Sequence, residues 1–397
     1  MDAPKDDKTV GRRQHIVARA LVVLMALLVV CAGVLLATGI GEGNLATNGV
    51  PDSSSVVKKN HPFYVLIIGT DSRKGTALYT GNPSEHAQID QHADTLTLMR
   101  VDPKKHRVTL VSVPTRTVLR GQDIPLSDTL LEGDPMKTVD AVESLTGVDI
   151  PYYMLVNFKG FENVVDEFGS LTVDVDVSVK SQDPISAKNV TVKEGPAREL
   201  LSSGALAYAR AWDEYSSNND AHRQANIRSI EIAIINAVLG KSETDAINLG
   251  QTLSGNVVTN MNSSLIRSLV KNFVHAGSDS VKIYQCYGPH KITDKQKGLI
   301  SENKTAWKHL MYVVDGGYNP KISYKKIKQK EAQEAAEQAA QQQAQQYGYT
   351  DQYGNWHSGY ELQYGNTQQS ATSSTGTGAQ GNGQDQASAP ANTNAGQ

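Results

Sequence analysis

The chain has 397 residues, enough for one large domain or two ordinary ones. A formal net charge of -3 with 20% charged residues excludes the basic excess of a nucleic-acid binder. Two cysteines, Cys31 and Cys286, exclude a disulfide framework.

Ala20 to Ile40 is a run of 21 residues without a charge. At about 1.5 Å per residue it spans a hydrocarbon core of about 30 Å. Lys5, Lys8, Arg12, Arg13 and Arg19 precede it, and the flank from Gly41 to Ser55 carries no Lys or Arg. The positive-inside rule then puts residues 1–19 in the cytoplasm and the rest outside the cell membrane. A cleaved signal peptide is the rival reading. The apolar run exceeds the 7–15 residues typical of such peptides, and "ATGIGEG" is a poor cleavage site, so the segment reads as an uncleaved single-pass anchor. Cys31 inside the span and Cys286 beyond it should not pair.

Residues 41–60 are polar and rich in Gly, Ser and Asn, which reads as a tether. Globular sequence follows over 61–324. "FYVLIIGT" is a continuous apolar run, as a strand covered on both faces would be. "GNPSEHAQID" reads as a surface insertion. "DTLTLMRV", the turn "DPKK" and "HRVTLVSV" read as a hairpin. "MKTVDAVESLTG" has helical spacing with a Gly stop. "PYYMLVN" reads as a strand, "FKGFENVVDEFG" as a helix, and "LTVDVDVSV" alternates as one half-buried strand. "GALAYARAW" reads as a short helix. Asp220 to Leu239 reads as a longer one, with Ile227, Ile230, Ile234, Ile235 and Val238 on its apolar face. "SLIRSLVKNFVHAG" is helical, "SVKIYQCY" a strand with Cys286 buried in it, and "TAWKHLMYVV" a closing helix. Alternating strands and helices predict an α/β fold, a mixed β-sheet flanked by helices. From Lys325 to Gln397 the chain is rich in Gln, Gly and Tyr. "KKIKQKEAQEAAEQAAQQQAQQ" has helix-prone residues without an apolar stripe, so a helix there would be exposed and marginal. Tyr347 to Tyr364 then packs six aromatics into 18 residues. This composition predicts a disordered tail, whose aromatics could stack on wall sugars or simply be sticky.

Few residues stand out for chemistry. Asp71 follows the first strand and Asp94 opens the next, so their carboxylates can meet; two hard oxygen ligands near a phosphate suit Mg²⁺. Asp is also common at strand and turn boundaries. Arg210 and Arg223 flank the loop "WDEYSSNND", Arg228 lies on the following helix, and Asp220 sits where an N-cap would. Guanidinium forks match the oxygens of a diphosphate. Ion pairing with Asp213, Glu214 and Asp220 is the plainer reading. Arg116 lies just past a strand end in "VSVPTRTVL", where α/β proteins place chemistry.

"FYVLIIGTDSR", "HADTLTLMRVDPKKHRVTLVSVP", "YYMLVNFKGFENVVDEFGSLTVDV" and "GALAYARAW…DAHRQANI…AIINAVL" together resemble the LytR-CpsA-Psr family, in its order and behind its single anchor. The resemblance covers Pro62 to Leu239 and, more faintly, continues to Val314. It implies a Gram-positive cell-wall enzyme on the outer face of the cytoplasmic membrane. Such an enzyme transfers a glycopolymer from an undecaprenyl-diphosphate carrier to peptidoglycan through a phosphodiester. It implies a mixed sheet holding the polyprenyl tail in an apolar groove, with arginines and Mg²⁺ on the diphosphate.

Carried over residue by residue, the family's metal aspartates fall on Asp71 and Asp94, and its "ALxYxRxR" arginine on Arg210. The second arginine of that pair is Trp212 here. In the "DxxRxxRQ" element Asp220 and Arg223 match, while Asn226 and Ile227 replace the next Arg and the Gln. This register puts "AIINAVL" where the family's helix core sits; the rival takes Arg223-Gln224 as the final pair. The family's "PRDT" is Pro114-Thr115-Arg116-Thr117 here, with the arginine one residue late. Asp94, Arg210 and Arg223 are therefore expected to be catalytic. Arg73, Arg116, Arg228 and Asp220 would assist Arg210 and Arg223 on the diphosphate.

Two functions follow. One is a membrane-anchored, Mg²⁺-dependent glycopolymer phosphotransferase. The other, motivated by Thr115, Trp212, Asn226 and Ile227, is a non-catalytic envelope scaffold that binds prenyl lipid or glycan. A transcriptional role, which the family's older name suggests, conflicts with a cytoplasmic segment of only residues 1–19.

Overall fold

A computed structural model describes residues 61–72, 91–239, 241–252, 257–277, 280–346, 349–350 and 352–357. The expected anchor Ala20–Ile40, the tether, Arg73 and the insertion at 81–90 lie outside them. Among the described residues no helix is long and apolar enough to cross a membrane. The chain divides into two units, Met1–Tyr324 and Lys325–Gln397.

The first unit opens with β1 (Phe63–Thr70), β2 (Ala93–Asp102), β3 (Arg107–Ser112) and the short β4 (Thr117–Val118). A 3-10 turn, Leu126–Leu130, leads to α1 (Pro135–Thr146), β5 (Tyr152–Val156) and α2 (Phe158–Asp166). Then come β6 (Leu171–Val175), β7 (Val179–Gln182), β8 (Asn189–Val192), β9 (Gly195–Leu200), α3 (Ser202–Ala209) and α4 (Asn219–Leu239). The unit closes with α5 (Glu243–Thr252), β10 (Val257–Thr259), α6 (Ser263–Ala276), β11 (Lys282–Tyr287), β12 (Ile300–Ser301) and α7 (Lys304–Asp315).

Six strands form one mixed sheet in the order β10-β5-β1-β2-β3-β11. β1 runs parallel to β5 and β3 parallel to β11, while the β1–β2, β2–β3 and β10–β5 pairs are antiparallel. Successive strand side chains point to opposite faces. Phe63, Val65 and Ile67 accordingly join one core with Ile230, Ile234 and Phe273, and Tyr64, Leu66 and Ile68 join a second with Val142, Trp307 and Met311. A strand covered by helices on both sides must be apolar at every position, as "FYVLIIGT" is. The expected mixed sheet flanked by helices is the observed architecture.

Three local differences from the sequence reading have physical causes. "LTVDVDVSV" is two strands: β6 pairs with β9 across an irregularity between Val173 and Val175, and β7 pairs with β8. At the break, Asp176 receives hydrogen bonds from the Tyr208 and Tyr215 hydroxyls, each at 2.8 Å, so it serves a side-chain network instead of a strand. Helix α4 begins at Asn219, which places Asp220 in the first turn and not at the cap. Cys286 is on a strand as expected but is only half-buried.

In the second unit, α8 (Tyr324–Gln346) carries the chain into a small hairpin of β13 (Tyr349–Thr350) and β14 (Trp356–His357). Part of the stretch expected to be disordered is therefore helical. Its Ala, Gln, Glu and Lys have high helix propensity. The pairs Lys328–Glu331 at 3.2 Å and Lys330–Glu334 at 3.5 Å add modest support along its surface. Residues 332–343 are all exposed, so this part of the helix buries no apolar stripe.

Candidate active site

The antiparallel β1–β2 pair brings the end of β1 against the start of β2, with Thr70 opposite Ala93. Asp71 and Asp94 are thereby neighbours, though 23 positions apart (94 minus 71) in the chain. Asp71 Oδ1 accepts the His92 backbone N–H at 2.7 Å, and Oδ2 lies 3.2 Å from His92 Nδ1. The other ring nitrogen of His92 is 3.8 Å from Asp128 Oδ1. Burial, and then the charge of Asp71, push the Asp94 carboxyl above the usual carboxylate range, against the lowering pull of Arg223, Arg210 and His92. This electrostatic coupling puts all four predicted residues, Asp71, Asp94, Arg210 and Arg223, in one neighbourhood.

Beside them opens a cavity of about 140 Å³. Helix α4 supplies one wall through Arg223, Ile227, Ile230, Glu231 and Ile234. These positions are i, i+4, i+7, i+8 and i+11, one face of a 3.6-residue helix. Ile67 and Gly69 of β1, Val164 of α2 and Leu206 of α3 continue the apolar lining, and Asp94, Arg210 and Arg223 are the charged groups that border it with Glu231.

Each arginine is held by aromatic stacking. Arg210, at the C-terminal end of α3, lies over the Phe158 ring at 5.5 Å. Phe158 starts α2, whose N-cap Asn157 accepts the Gly160 N–H at 2.8 Å. The Arg223 guanidinium lies over Trp212 at 5.5 Å. Its Nη2 donates to Asp220 at 3.0 Å and its Nη1 to the Asp94 carbonyl at 3.3 Å, while Nε is buried with no partner among the described residues. A buried unpaired donor costs energy that an anionic ligand would return. Asp220 also accepts a hydrogen bond from the Tyr287 hydroxyl.

The remaining expected phosphate ligands are placed elsewhere. Arg116 is exposed and committed to a loop: its Nε donates to the Gly298 carbonyl at 2.7 Å and its Nη2 to the Lys297 carbonyl. Arg228 follows Ile227 by one residue, about 100° around the helix. It therefore turns from the cavity toward the sheet, donating from Nε to Gln285 at 3.0 Å and from Nη1 to Ser112. Asp220 acts on Arg223 and does not line the cavity. Asn226 accepts from the Tyr215 hydroxyl and donates to the Tyr208 carbonyl, each at 3.0 Å, which ties down the loop that carries Trp212. Arg223 borders the cavity under either register of the sequence motif; Gln224 is fully buried and does not.

Sequence reasoning missed His92, Asp128, Phe158 and Glu231. His92 had a signal in its position two residues before Asp94. Glu231 had none, because a charge inside the apolar run "SIEIAII" reads equally well as a solvated face. Among the described residues no cluster of three or more His, Cys, Asp or Glu is placed to hold a metal. The Asp71–Asp94 pair nonetheless fits Mg²⁺, which takes few carboxylates plus water and phosphate oxygens. A cation would also offset the Asp71 charge, which adds to burial in raising the Asp94 carboxyl.

The cavity is apolar in its walls and bordered by two guanidinium groups and the Asp94 carboxyl, an arrangement chemically able to take an apolar chain next to an anionic group. The chain belongs to the LytR_cpsA_psr family, whose model matches residues 41–312. It is 31% identical over 183 residues to a polyisoprenyl-teichoic acid–peptidoglycan teichoic acid transferase TagU of Halalkalibacterium halodurans, covering 45% of this chain and 54% of that protein. To TagU of Bacillus subtilis it is 30% identical over 217 residues, covering 53% and 63%. The match thus spans between half and two thirds of these relatives' length. The crystal structure of B. subtilis TagV superposes with a TM-score of 0.52 at 21% identity, over 65% of this chain and 98% of that one, and shares the fold.

Proposed function

We propose that this protein transfers a glycopolymer from a polyprenyl-diphosphate carrier to peptidoglycan at the outer face of the cytoplasmic membrane. The observation that carries this reading is the apolar cavity with Arg210, Arg223 and Asp94 on its border. The apolar lining suits isoprenoid units, and the guanidinium groups suit the diphosphate. The names of the matched relatives support the same donor and acceptor classes. The anchor Ala20–Ile40, read from the sequence, would hold the domain at the surface where such a carrier resides.

The acceptor hydroxyl forms a new P–O bond to the phosphorus that bears the glycan. The bond from that phosphorus to the bridging oxygen breaks, prenyl phosphate leaves, and the hydroxyl proton passes to water at the mouth. Arg223 and Arg210 bind and orient the phosphate oxygens and offset the charge that develops there. Asp71 and Asp94 would hold Mg²⁺, which supplies further charge neutralisation on the phosphoryl oxygens. His92 orients Asp71 through its backbone N–H and its ring.

The test is transfer by the full-length protein in nanodiscs, with a prenyl-diphosphate-linked glycan as donor and peptidoglycan oligomers as acceptor, and a TagU relative in parallel. Wild type should yield glycan-linked peptidoglycan, and Arg223→Ala should lower the rate by about 10²–10³. Donor binding without turnover, while the relative works, would favour the scaffold reading.

A further inference from the structure

The hairpin of the second unit holds its largest side chains in water. Strands β13 and β14 pair Tyr349 with His357 and Thr350 with Trp356, and Gly354, at φ 85°, lies in the turn between them. Trp356 is 61% exposed and Tyr353, in the turn, 81%, so that no other Trp, Tyr or Phe among the described residues is as open. Neither hydrophobic core includes a residue of this hairpin. A lone two-stranded hairpin is marginally stable in water, and exposed aromatic surface of this kind marks a place where something else packs.

The charges nearby limit what that partner is. After Lys330 the sequence has no Lys or Arg through Gln397, and it carries the acids Glu331, Glu334, Glu337, Asp351, Glu361 and Asp385. Such a segment repels phosphate-bearing polymers and anionic lipid surfaces, which call for clustered cations. The hairpin offers instead two aromatic side chains with a polar edge and, in the same turn, the exposed amides of Gln352 and Asn355. Aromatic rings pack against the C–H faces of pyranoses. Amides match sugar hydroxyls both as donors and as acceptors.

We propose that the β13–β14 hairpin is a glycan-binding site, in which Trp356 and Tyr353 stack on the uncharged sugar rings of a peptidoglycan strand. Stacking would cover the ring faces that water now touches and supply the burial that the hairpin lacks. The choice of peptidoglycan among uncharged glycans rests on the proposed acceptor. The site itself requires no transfer chemistry and holds equally for a scaffold.

The experiment co-sediments full-length protein in nanodiscs with insoluble peptidoglycan stripped of its anionic polymers. The double variant Trp356→Ala/Tyr353→Ala should raise the apparent Kd about tenfold, each lost stack contributing a few-fold, while Trp356→Phe keeps most of the affinity. Both side chains are exposed, so the double variant should unfold at the wild-type Tm. Chitohexaose, a soluble uncharged N-acetylated glycan, should displace the wild type from peptidoglycan, and poly(glycerol phosphate) should not. Unchanged sedimentation of the double variant would overturn the site. Equal wild-type binding to plain agarose beads would reduce it to general stickiness and overturn it too, and displacement by poly(glycerol phosphate) as effective as by chitohexaose would overturn the uncharged ligand. Transfer is measured separately on a short soluble acceptor. Binding that the double variant loses, with no transfer by wild type, would sink the transferase reading and leave this site standing; transfer with binding that the double variant keeps would do the reverse.

Discussion

Replacing Gly69 with alanine tests whether the close approach of β1 and β2 sets the carboxylate pair. Gly69 is the direct cross-strand partner of Thr95, and the register shifts immediately after it, before Asp71. A Cβ at Gly69 would stand 2.3 Å from Thr95 Oγ1 and 3.5 Å from Thr95 Cβ. Ordinary carbon contacts begin at about 3.5 Å, so the hydroxyl must move by roughly 1 Å or the strands must part. Overpacking of this kind costs about 1–3 kcal/mol. For a domain of this size that corresponds to a fall of roughly 3–10 °C in Tm. Thr95→Ala removes the offending atom and leaves the two Cβ positions at a normal distance. Thermal unfolding of wild type, Gly69→Ala, Thr95→Ala and the double variant closes a cycle, and the double variant should recover more than half of the Gly69→Ala loss. Transfer activity should follow the same pattern, because Asp71 follows Gly69 by two residues and Asp94 immediately precedes Thr95. An equal loss in both Thr95 backgrounds would refute the steric argument.

Three further outcomes are expected. Asn226→Ala removes hydrogen bonds with Tyr208 and Tyr215, each at 3.0 Å, and should cost about 1–3 kcal/mol in denaturant unfolding while loosening the Trp212 loop, read as a change in tryptophan fluorescence. Glu231 binds its proton more tightly in the folded chain, with the group pushed up from an ordinary 4.5 to about 7, so its contribution to stability is intact below about pH 4 and is lost as pH rises to about 7. Unfolding of Glu231→Gln against wild type should therefore show the variant gaining as pH rises, by roughly 3 kcal/mol in total; a constant difference across that window would contradict the assignment. Burial pushes the Cys286 thiol up to about 12, so peptide-level alkylation at neutral pH should be slow in the native protein and fast after denaturation.

The elements that read most clearly from sequence were those whose pattern reports burial directly. Phe63 to Ile68 are apolar at every position because helices cover both sheet faces, and the Asp94-bearing hairpin shows a recognisable turn between its strands. The strands within 179–200 were not legible. They form small two-stranded pairs whose mostly exposed residues leave no strong period. Helix α8 leaves a weak signal in the sequence because most of it buries no apolar stripe and only residue propensity favours it.

At the site, the residue types were legible and their directions were not. Asp71, Asp94, Arg210 and Arg223 could be selected because strand ends and a loop between helices are where charged groups can converge. Arg116 and Arg228 have the same chemistry and equally plausible positions in the chain. What separates them is direction. One residue of helical rotation turns Arg228 onto Ser112 and Gln285, and the loop at Lys297–Gly298, distant in sequence, captures Arg116. The amino-acid sequence alone determined the fold class, the family and the pool of charged groups, because periodicity and motif order are local properties of the chain. Only the tertiary structure decided which arginines face the cavity and that an acid lines it, because those facts depend on contacts between segments far apart in sequence.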